Sequence, residues 1–478
     1  MLREKVRGRR RQYGGMILIL LLALALRMGY IRHTPPGAQF ENVDAQGYHW
    51  LARNLLEHGV YSMNTEPPLR AENVRAPLYP LWVAGWYSLG GPAPMVVVLS
   101  HALIDTLTVV LIYRLGRLVA GAKAGMITAL LYALNPSSWR FCNELLTEII
   151  FGCLLTAAVW MLARYIIKGR NGDAFACGVL TGAAILCKPN VQFLPLILVI
   201  IMVEGIFTGR KGWQRGALIV MVTIGALLMP WVVRNRMVFG QWFYTRTFDD
   251  NLAHVSAVAT LARINGEDVA PWTARWEEIY DTLISQTAAR YGWEDVPEST
   301  LSSRDRDERL QQITAVAGDV VRRHPTDFFA SHTLSWARSF IPQEHKFWYT
   351  WLTGRPWESL GLRGDALGRG LAALARGGVG RAVQIVWRER IAALPPLALA
   401  LWIAWGVGYT LAALLMIRGA WRLRPRVLTL MMLATIFYVT FVPGPISHIR
   451  FRLPVVPLLL LLMTCGIMTP CGDQRDNF

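Results

Sequence analysis

The sequence is short of charged residues, and of acidic residues most of all. Only 17% of its 478 residues are charged and 53% are hydrophobic, whereas soluble domains have about 25% charged and about 45–50% apolar residues. The 32 acidic residues against 49 Lys and Arg give a net charge of +17. Because these cations lie between apolar segments and not in one soluble basic domain, they do not indicate a nucleic-acid partner. The composition indicates a membrane protein.

Metal-binding and disulfide patterns are also missing. There are six cysteines, none in a CxxC spacing and most inside apolar runs. A zinc site or a disulfide framework is therefore not expected, and buried packing thiols are predicted instead. The histidines form neither HxH nor HExxH spacing, so they predict no metal ligands.

Long apolar runs are what the sequence has in excess. Several approach or exceed the ~20 residues that span a bilayer core. The first has a basic leader like that of a signal peptide, but Arg27 follows it where a cleavage site would be, so we interpret it as a retained anchor. Ten membrane helices are predicted near residues 14–32, 94–114, 123–139, 148–167, 173–187, 190–207, 216–233, 392–417, 427–444 and 453–469.

The distribution of Lys and Arg predicts the orientation of these helices. Cations gather in alternate connections, which places both termini in the cytoplasm. The opposite, periplasmic side receives the first outer loop and one long hydrophilic insert with amphipathic helical patterns, such as LQQITAVAGDVVRR. The predicted segments are a cytoplasmic N-terminus (1–13), a transmembrane core (14–233) with its first outer loop (33–93), the insert (234–391), C-terminal membrane helices (392–470) and a cytoplasmic tail (471–478).

A transporter is the first function to consider for such a chain. Charges at bilayer depth mark ion or substrate pathways, and His101 and Asp105 lie four residues apart inside the second predicted helix. They form either a proton relay or a satisfied pair that ties helices together. The broken helices paired across two halves that are typical of secondary transporters do not occur in this sequence.

Polar residues gather instead at the outer ends of the predicted helices. Cations that converge there from separate helices suit an anionic ligand such as a phosphate, although each alone would also fit a snorkelling side chain. A carboxylate beside a reacting centre takes a proton from an attacking hydroxyl. An acid, several cations and a lipid surface together predict group transfer from a polyprenyl phosphate. The residues are Asp44, Arg75, Glu144, Glu148, Lys188, Arg234, Asn235, His448, Arg450 and Arg452.

The same segments carry a family resemblance. DAQGYHWLARNLLEHGVYS followed by RAPLYPLWVAGWYSLGG resembles the first outer loop of bacterial C-type (GT-C) glycosyltransferases, which are related to protein O-mannosyltransferases and lipid A aminoarabinose transferases. NPSSWRFCNELLTEIIF, GVLTGAAILCKPNVQFLP, PWVVRNRMVFGQW and RFRLPVVPLLLLL follow in the family's order. The resemblance covers about residues 14–245 and 395–470. It implies an all-α GT-C membrane fold with membrane-parallel helices in the first outer loop and a mainly helical periplasmic insert.

The resemblance also implies roles for individual residues. Asp44 would be the base that activates the acceptor hydroxyl, or else the N-cap of the amphipathic helix that follows it. Arg75 would contact the donor phosphate. Glu148 would orient the acceptor or a neighbouring Arg, or else be a helix N-terminal acid favoured by the dipole. Lys188, Arg234 and Arg450 are further candidate phosphate ligands, and Glu144 is a weaker alternative to Glu148.

One departure concerns the first outer loop. Some relatives have a paired acidic motif there, whereas Asp44 is flanked by Val43 and Ala45, so we predict no required metal and no cofactor. The predicted function is an inner-membrane, polyprenyl-phosphate-sugar-dependent glycosyltransferase that acts on a periplasmic-side acceptor with inversion. A flippase or transporter of lipid-linked saccharides and a structural envelope partner are the alternatives.

Overall fold

The computed structural model describes residues 2–468 apart from 36, 41, 200–211, 268, 295, 297–299, 341–343, 354–359, 361–368, 371–372, 375–376, 393, 425 and 447–448. The predicted tail (471–478), the second half of the sixth predicted helix and His448 therefore lie outside the described residues.

The described residues are mainly helical and contain no β-strand. A π-helical segment, Asn251–Ala257, joins α11 to α12. In chain order the α-helices are α1 (Leu2–His33), α2 (Val43–His58), α3 (Leu78–Gly90), α4 (Pro94–Ala120), α5 (Ala122–Ala133), α6 (Pro136–Cys142), α7 (Glu148–Lys168), α8 (Asn171–Cys187), α9 (Pro189–Val199), α10 (Trp213–Phe239), α11 (Thr247–Asp250), α12 (Val258–Ile264), α13 (Ala274–Tyr291), α14 (Ser303–Arg323), α15 (Pro325–Ser339), α16 (Glu344–Thr353), α17 (Val379–Val386), α18 (Pro396–Arg422), α19 (Arg426–Phe441), α20 (Ile449–Arg452) and α21 (Val456–Ile467).

The apolar helices coincide with the predicted membrane segments. Within the described chain, six helical segments are long and apolar enough to cross a membrane: Gln12–His33, α4, α7, α10, α18 and Ile449–Ile467. Four more apolar helices, α5, α8, α9 and α19, have 10–17 residues. The prediction of an all-α, multi-pass membrane protein is confirmed, while the number of ten crossings stays a prediction.

Met1–Thr245, Ala413–Val439 and Leu453–Phe478 form one compact unit, called unit 1 here. In it α4 packs on α5 and α7, and α8 packs on α7 and α10. The α4–α5 contact requires glycine, because a Cβ added at Gly125 would lie 2.6 Å from the carbonyl oxygen of Tyr113. At Gly125 the backbones of α4 and α5 therefore contact each other directly, without side chains between them.

A buried ion pair fixes α1 in unit 1. The Arg27 guanidinium contacts the Asp105 carboxylate at 2.5 Å, and the two side chains are 0% and 1% exposed. The Tyr132 hydroxyl donates to Asp105 at 2.5 Å, and Arg27 donates to the Ser138 hydroxyl at 3.0 Å. Charges removed from water at this depth require such partners, so the pair joins α1, α4, α5 and α6.

His101 and Asp105 contact different partners. The His101 ring forms hydrogen bonds with the Tyr79 hydroxyl and the Cys142 carbonyl, each at 3.3 Å, whereas Asp105 pairs with Arg27. The prediction that His101 and Asp105 pair with each other is therefore wrong. Each instead ties α4 to another element, which favours the structural interpretation over a proton relay.

Arg246–Ala412 and Thr440–Arg452 form the second compact unit, unit 2. It contains α11–α17 of the predicted insert. Helix α14 begins with a capping box between Ser302 and Asp305, which satisfies the first backbone donors of the helix. Its residues Ile313 and Val316, part of the predicted amphipathic pattern, are buried in a core with Leu283 of α13. The helical prediction for this part of the insert is confirmed.

Candidate active site

Helix α2 places Asp44 in its first turn. Asn42 is the N-cap, with extended backbone (φ −97°, ψ 136°), and its side-chain oxygen accepts a hydrogen bond from the backbone N–H of Asp44 at 2.9 Å. Gly59, in the left-handed conformation (φ 67°), ends the helix. The capping role considered for Asp44 is thus wrong, because Asn42 performs it and the Asp44 carboxylate is left to face other groups.

The Asp44 carboxylate forms an ion pair with Arg75. Nη2 of Arg75 lies 2.8 Å from Oδ1 of Asp44, and the side chains are 19% and 33% exposed respectively. Burial is the largest single influence and acts to lower the pKa of Arg75, but Asp44, Tyr48 and Glu72 together outweigh it, so that the pKa is raised above its ordinary value. Arg75 therefore stays positively charged. Because both side chains of the pair are partly exposed, solvent or a ligand can reach its guanidinium.

Two further residues of α2 surround the Arg75 guanidinium. A Cβ added at Gly47 would lie 3.1 Å from Cζ of Arg75 and 3.1 Å from Sδ of Met63. The Arg75 guanidinium also lies over the Tyr48 ring, 5.4 Å from its centroid, a distance suited to a cation–π interaction. Sequence reasoning gave neither Gly47 nor Tyr48 a role at the site. The spacing of Asp44, Gly47 and Tyr48, on one helical face, was the signal that it missed.

The loop before Arg75 is held by Glu72 and Arg234. Oε1 of Glu72 accepts hydrogen bonds from the backbone N–H groups of Val74 at 2.8 Å and Arg75 at 3.2 Å. Arg234 donates to the backbone carbonyl of Glu72 at 2.9 Å and lies 4.7 Å from the Trp231 ring centroid. Arg234 thus reaches the segment that carries Arg75, and Glu72 is a site residue that sequence reasoning did not identify.

Tyr61 completes the anchoring of this loop. Its hydroxyl donates to the carbonyl oxygens of Arg75 at 3.2 Å and Ala76 at 3.0 Å. Its ring packs edge to face on Trp231 at 5.0 Å and lies beneath the Arg234 guanidinium at 5.6 Å. The two predicted phosphate ligands, Arg75 and Arg234, are therefore held by one buried tyrosine.

Glu148 and Lys188 form a second pair. Nζ of Lys188 lies 2.7 Å from Oε1 of Glu148, and the side chains are 12% and 2% exposed. Glu148 is the first residue of α7, and Lys188 directly follows α8. One cation beside Glu148 is thus a lysine, and the predicted role of Glu148 towards the acceptor or a neighbouring Arg stays a prediction. The position of Glu148 in the first turn of α7 also agrees with the interpretation of a helix N-terminal acid favoured by the helix dipole.

Tyr79 of α3 connects the two pairs. Its ring packs edge to face on Tyr48 at 4.8 Å, and Tyr48 contacts Arg75. The pKa of the Tyr79 hydroxyl is raised well above its ordinary value, first by burial and then by Tyr48, Cys187 and Glu148. Tyr79 therefore lies near both Tyr48, which contacts Arg75, and Glu148, which pairs with Lys188.

The weaker candidates have structural contacts. Glu144 pairs with Arg140, one turn earlier, at 3.2 Å. The Asn235 side-chain amide is buried and donates to the carbonyls of Phe243 at 3.2 Å and Tyr244 at 2.7 Å. Asn235 thus shapes the chain after α10, which accounts for its presence at the helix end without a ligand.

Arg450 lies in unit 2, on the short helix α20, where its guanidinium packs over the Phe451 ring at 4.8 Å. Arg452, on the same helix, donates to the Tyr409 hydroxyl at 2.8 Å. The predicted role of Arg450 stays a prediction. The described residues hold no group of three or more His, Cys, Asp or Glu that fits a metal ion.

Comparisons with known proteins point to one fold. Residues 74–233 match the family model of dolichyl-phosphate-mannose-protein mannosyltransferases, while curated proteins give no significant match. The archaeal oligosaccharyltransferase AglB from Archaeoglobus fulgidus, solved with an inhibitory peptide and a dolichol-phosphate, is similar at 13% identity and a TM-score of 0.53 over 96% of this chain and 50% of AglB. The Archaeoglobus fulgidus oligosaccharyltransferase tethered with an acceptor peptide gives 12% identity and a TM-score of 0.51 over 95% of this chain and 49% of that chain. The chain thus spans about half the length of AglB.

A further solved structure, ArnT from Cupriavidus metallidurans bound to undecaprenyl phosphate, is 15% identical, with a TM-score of 0.40 over 95% of this chain and 78% of ArnT. The helix order, the first outer loop and the AglB likeness agree with one another. The chain has the GT-C fold, and its predicted resemblance to the mannosyltransferase family is confirmed over residues 74–233.

Proposed function

We propose that this membrane protein is a glycosyltransferase that moves a sugar from a polyprenyl-phosphate donor to an acceptor on the periplasmic side, with inversion. The observation that carries the proposal is the partly exposed Asp44–Arg75 pair, at 2.8 Å, in the first outer loop. One side chain of this pair accepts a proton and the other binds a phosphate, and inverting transfer from a lipid phosphate needs both functions at one point.

The reaction balances on these groups. An acceptor hydroxyl oxygen attacks the anomeric carbon of the sugar while its proton passes to the Asp44 carboxylate. The bond between the anomeric carbon and the phosphate oxygen breaks, and its electron pair leaves with the lipid phosphate. A positioned base of this kind contributes typically ~10²–10⁴-fold in rate, and fixed cations stabilise the charge that develops on the leaving group.

The ion pair also gives an order to the binding steps. Before the donor binds, Arg75 is engaged with Asp44, and a carboxylate so paired is a weak base. A phosphate offers Arg75 a bidentate anion in place of Asp44. Arrival of the donor therefore frees Asp44 for the acceptor proton, which links donor binding to activation of the base.

The remaining predicted residues have supporting roles in this proposal. Arg234 reinforces the loop of Arg75 and adds positive charge towards the leaving phosphate. Glu148 holds Lys188, which faces the same phosphate from α8 and is 12% exposed. Arg450, on α20 of unit 2, stays a candidate phosphate ligand, as the sequence resemblance implies.

We place both termini in the cytoplasm and the site on the periplasmic side of the inner membrane, because the cation-rich connections alternate with the polar helix ends. The predicted division into a core (14–233), an insert (234–391) and C-terminal helices (392–470) belongs to the same proposal. AglB, which shares the fold, is described with a dolichol-phosphate and with acceptor peptides, and this supports a lipid-phosphate donor here.

The test is Asp44→Asn in membranes that contain the full chain. We expect transfer to fall about 10²–10⁴-fold, while binding of undecaprenyl phosphate, measured on the purified protein, is retained because Arg75 and Arg234 remain. Glu57→Gln is the matched control, since Glu57 lies on the same helix and contacts only α2 and its end, through Arg53 and His58. Unchanged transfer in Asp44→Asn would remove the catalytic role. Saccharide translocation without transfer in the wild-type protein would support the flippase instead.

A further inference from the structure

A groove of about 630 Å³ lies in unit 1 beside the first outer loop. The end of α1 forms one wall and the start of α4 the other. Its lining is mainly apolar, and it includes two methionines, Met28 and Met95, whose flexible side chains adapt to irregular apolar ligands. The site described above does not use this groove.

The location of the groove decides what covers it. Both walls belong to helices long and apolar enough to cross a membrane, and their ends at the groove are those that lead into the first outer loop. An apolar channel between two such helices faces hydrocarbon. A hydrocarbon chain is therefore the ligand whose chemistry matches the lining.

Arg32 stands in the groove wall at the last turn of α1. It has no hydrogen bond or ion pair with any described residue, and its side chain is exposed. A cation at the outer end of an apolar channel complements the anionic headgroup of a lipid. This cation is separate from Arg75 and Arg234, which the proposed donor occupies.

Gln39 connects the groove with the catalytic region. Gln39 is part of the lining, and its backbone carbonyl accepts a hydrogen bond from the N–H of Leu145 at 3.2 Å. Its side-chain amide donates to Asn143 at 3.4 Å. These contacts join the groove wall to the connection between α6 and α7 (residues 143–147), which continues directly into Glu148.

We propose that this groove binds an acyl chain of the acceptor, and that the acceptor is a lipid with an anionic headgroup held by Arg32. The proposal rests on the proposed function and names its acceptor class. The donor approaches Arg75 and Arg234, while the acceptor lipid enters between α1 and α4 and presents its hydroxyl towards Asp44. Two substrates carried by one leaflet thereby reach the site by separate routes.

The experiment is photo-crosslinking of the full chain in phosphatidylcholine vesicles. The vesicles contain a probe lipid with a diazirine acyl chain, which is either phosphatidylglycerol or phosphatidylcholine. Crosslinked peptides are mapped by mass spectrometry. We expect phosphatidylglycerol to label segments 28–34 and 93–99 at least threefold more than phosphatidylcholine, and Arg32→Gln to remove this difference. Equal labelling by both lipids in the wild-type protein would overturn the assignment of Arg32.

Gly29→Leu blocks the groove. Gly29 lines it, and a Cβ added there meets no atom within 4 Å, so a side chain fits without strain in α1. Gly14→Leu is the matched control, since Gly14 lies on α1 with equally open surroundings and outside the groove. We expect Gly29→Leu to reduce labelling of the two segments at least fivefold and Gly14→Leu to leave it unchanged.

Two results would overturn the proposal. One is labelling that misses both segments or is insensitive to Gly29→Leu. The other is loss of labelling when unlabelled undecaprenyl phosphate is added, which would assign the groove to the donor chain. Neither result bears on Asp44, because labelling requires no transfer. If the Asp44→Asn protein is labelled as strongly as the wild-type protein, lipid binding in the groove is independent of Asp44. A failure of this inference is then distinguished from a failure of the proposed function.

Discussion

Two Arg–Asp pairs in unit 1 have the same chemistry and opposite surroundings. Arg27–Asp105, at 2.5 Å, is sealed, with side chains 0% and 1% exposed. Asp44–Arg75, at 2.8 Å, is reached by solvent, with side chains 33% and 19% exposed. Each joins elements far apart in the chain. Exposure, and not the kind of residue or the distance, separates the two pairs.

The partners around each pair explain the difference. Arg27 donates to Asp105, Ser138 and the backbone carbonyls of Ala23 and Ala133, so that its donors are directed into the protein. Arg75 lies between one helical face and a loop, and its carboxylate partner opens to solvent. A fully satisfied buried network fixes one structure, whereas a partly open pair exchanges its partner for a ligand at small cost.

The largest predicted effect breaks the sealed pair. Asp105→Asn leaves the Arg27 charge buried without its counter-ion, and removal of one partner from a buried pair costs about 3–5 kcal/mol. Asp44→Asn, at the partly exposed pair, is expected to cost less, because solvent reaches both side chains. Thermal unfolding in detergent, followed by size-exclusion chromatography, measures both. A stable Asp105→Asn protein would show that the two pairs do not differ in this way.

The sequence identified the charged residues of the sealed pair but not their partners. Arg27 was noticed as an interruption of the first apolar run, and Asp105 as a neighbour of His101 one helical turn away. Spacing along a helix reports which side chains share a face, not which other helix that face meets. The α1–α4 contact that joins residues 27 and 105 depends on tertiary packing, which a single sequence does not reveal.

For the candidate site, sequence reasoning singled out residues that the structure brings together, while their roles stay predictions. The prediction of helical membrane segments is confirmed because long apolar runs have few alternative structures in a bilayer. Asp44 and Arg75 were singled out separately, and they meet. Glu72 and Tyr61 were not identified, because their contacts are mostly to backbone atoms of a loop. Loop geometry leaves little trace in residue spacing.

The next prediction concerns Glu148–Lys188, whose exposure of 2% and 12% lies between those of the other two pairs. Either Glu148→Gln or Lys188→Met alone is expected to lower stability by roughly 3 kcal/mol, because a buried charge is left unpaired. The double variant should regain most of this stability and remain low in transfer activity. A double-mutant cycle of unfolding measurements, with parallel transfer assays, checks both results. Recovery of activity in the double variant would assign the pair to structure alone.

Gly47→Ala tests the geometry of the Asp44–Arg75 pair without removing a charge from it. The added methyl lies 3.1 Å from the Arg75 guanidinium carbon, so Arg75 must shift relative to Asp44. Small displacements at a reacting site reduce rates strongly, and we expect roughly tenfold slower transfer with unchanged or slightly raised stability. Gly85→Ala in α3 is the control, since no atom lies within 4 Å of its added Cβ. Equal transfer rates in the two variants would contradict the positioning role of Gly47.

The smallest effect concerns the aromatic face beneath Arg75. Tyr48→Phe keeps the ring under the guanidinium, whereas Tyr48→Leu removes a cation–π contact worth about 0.5–1 kcal/mol at an exposed site. We expect Tyr48→Leu to weaken undecaprenyl phosphate binding roughly two- to fivefold, and Tyr48→Phe to leave it near the wild-type value. Titration of the purified protein with this lipid measures the difference. Equal losses of lipid binding in both variants would assign the contribution to the Tyr48 hydroxyl. A hydrogen bond of that hydroxyl, and not the ring, would then support the Asp44–Arg75 pair.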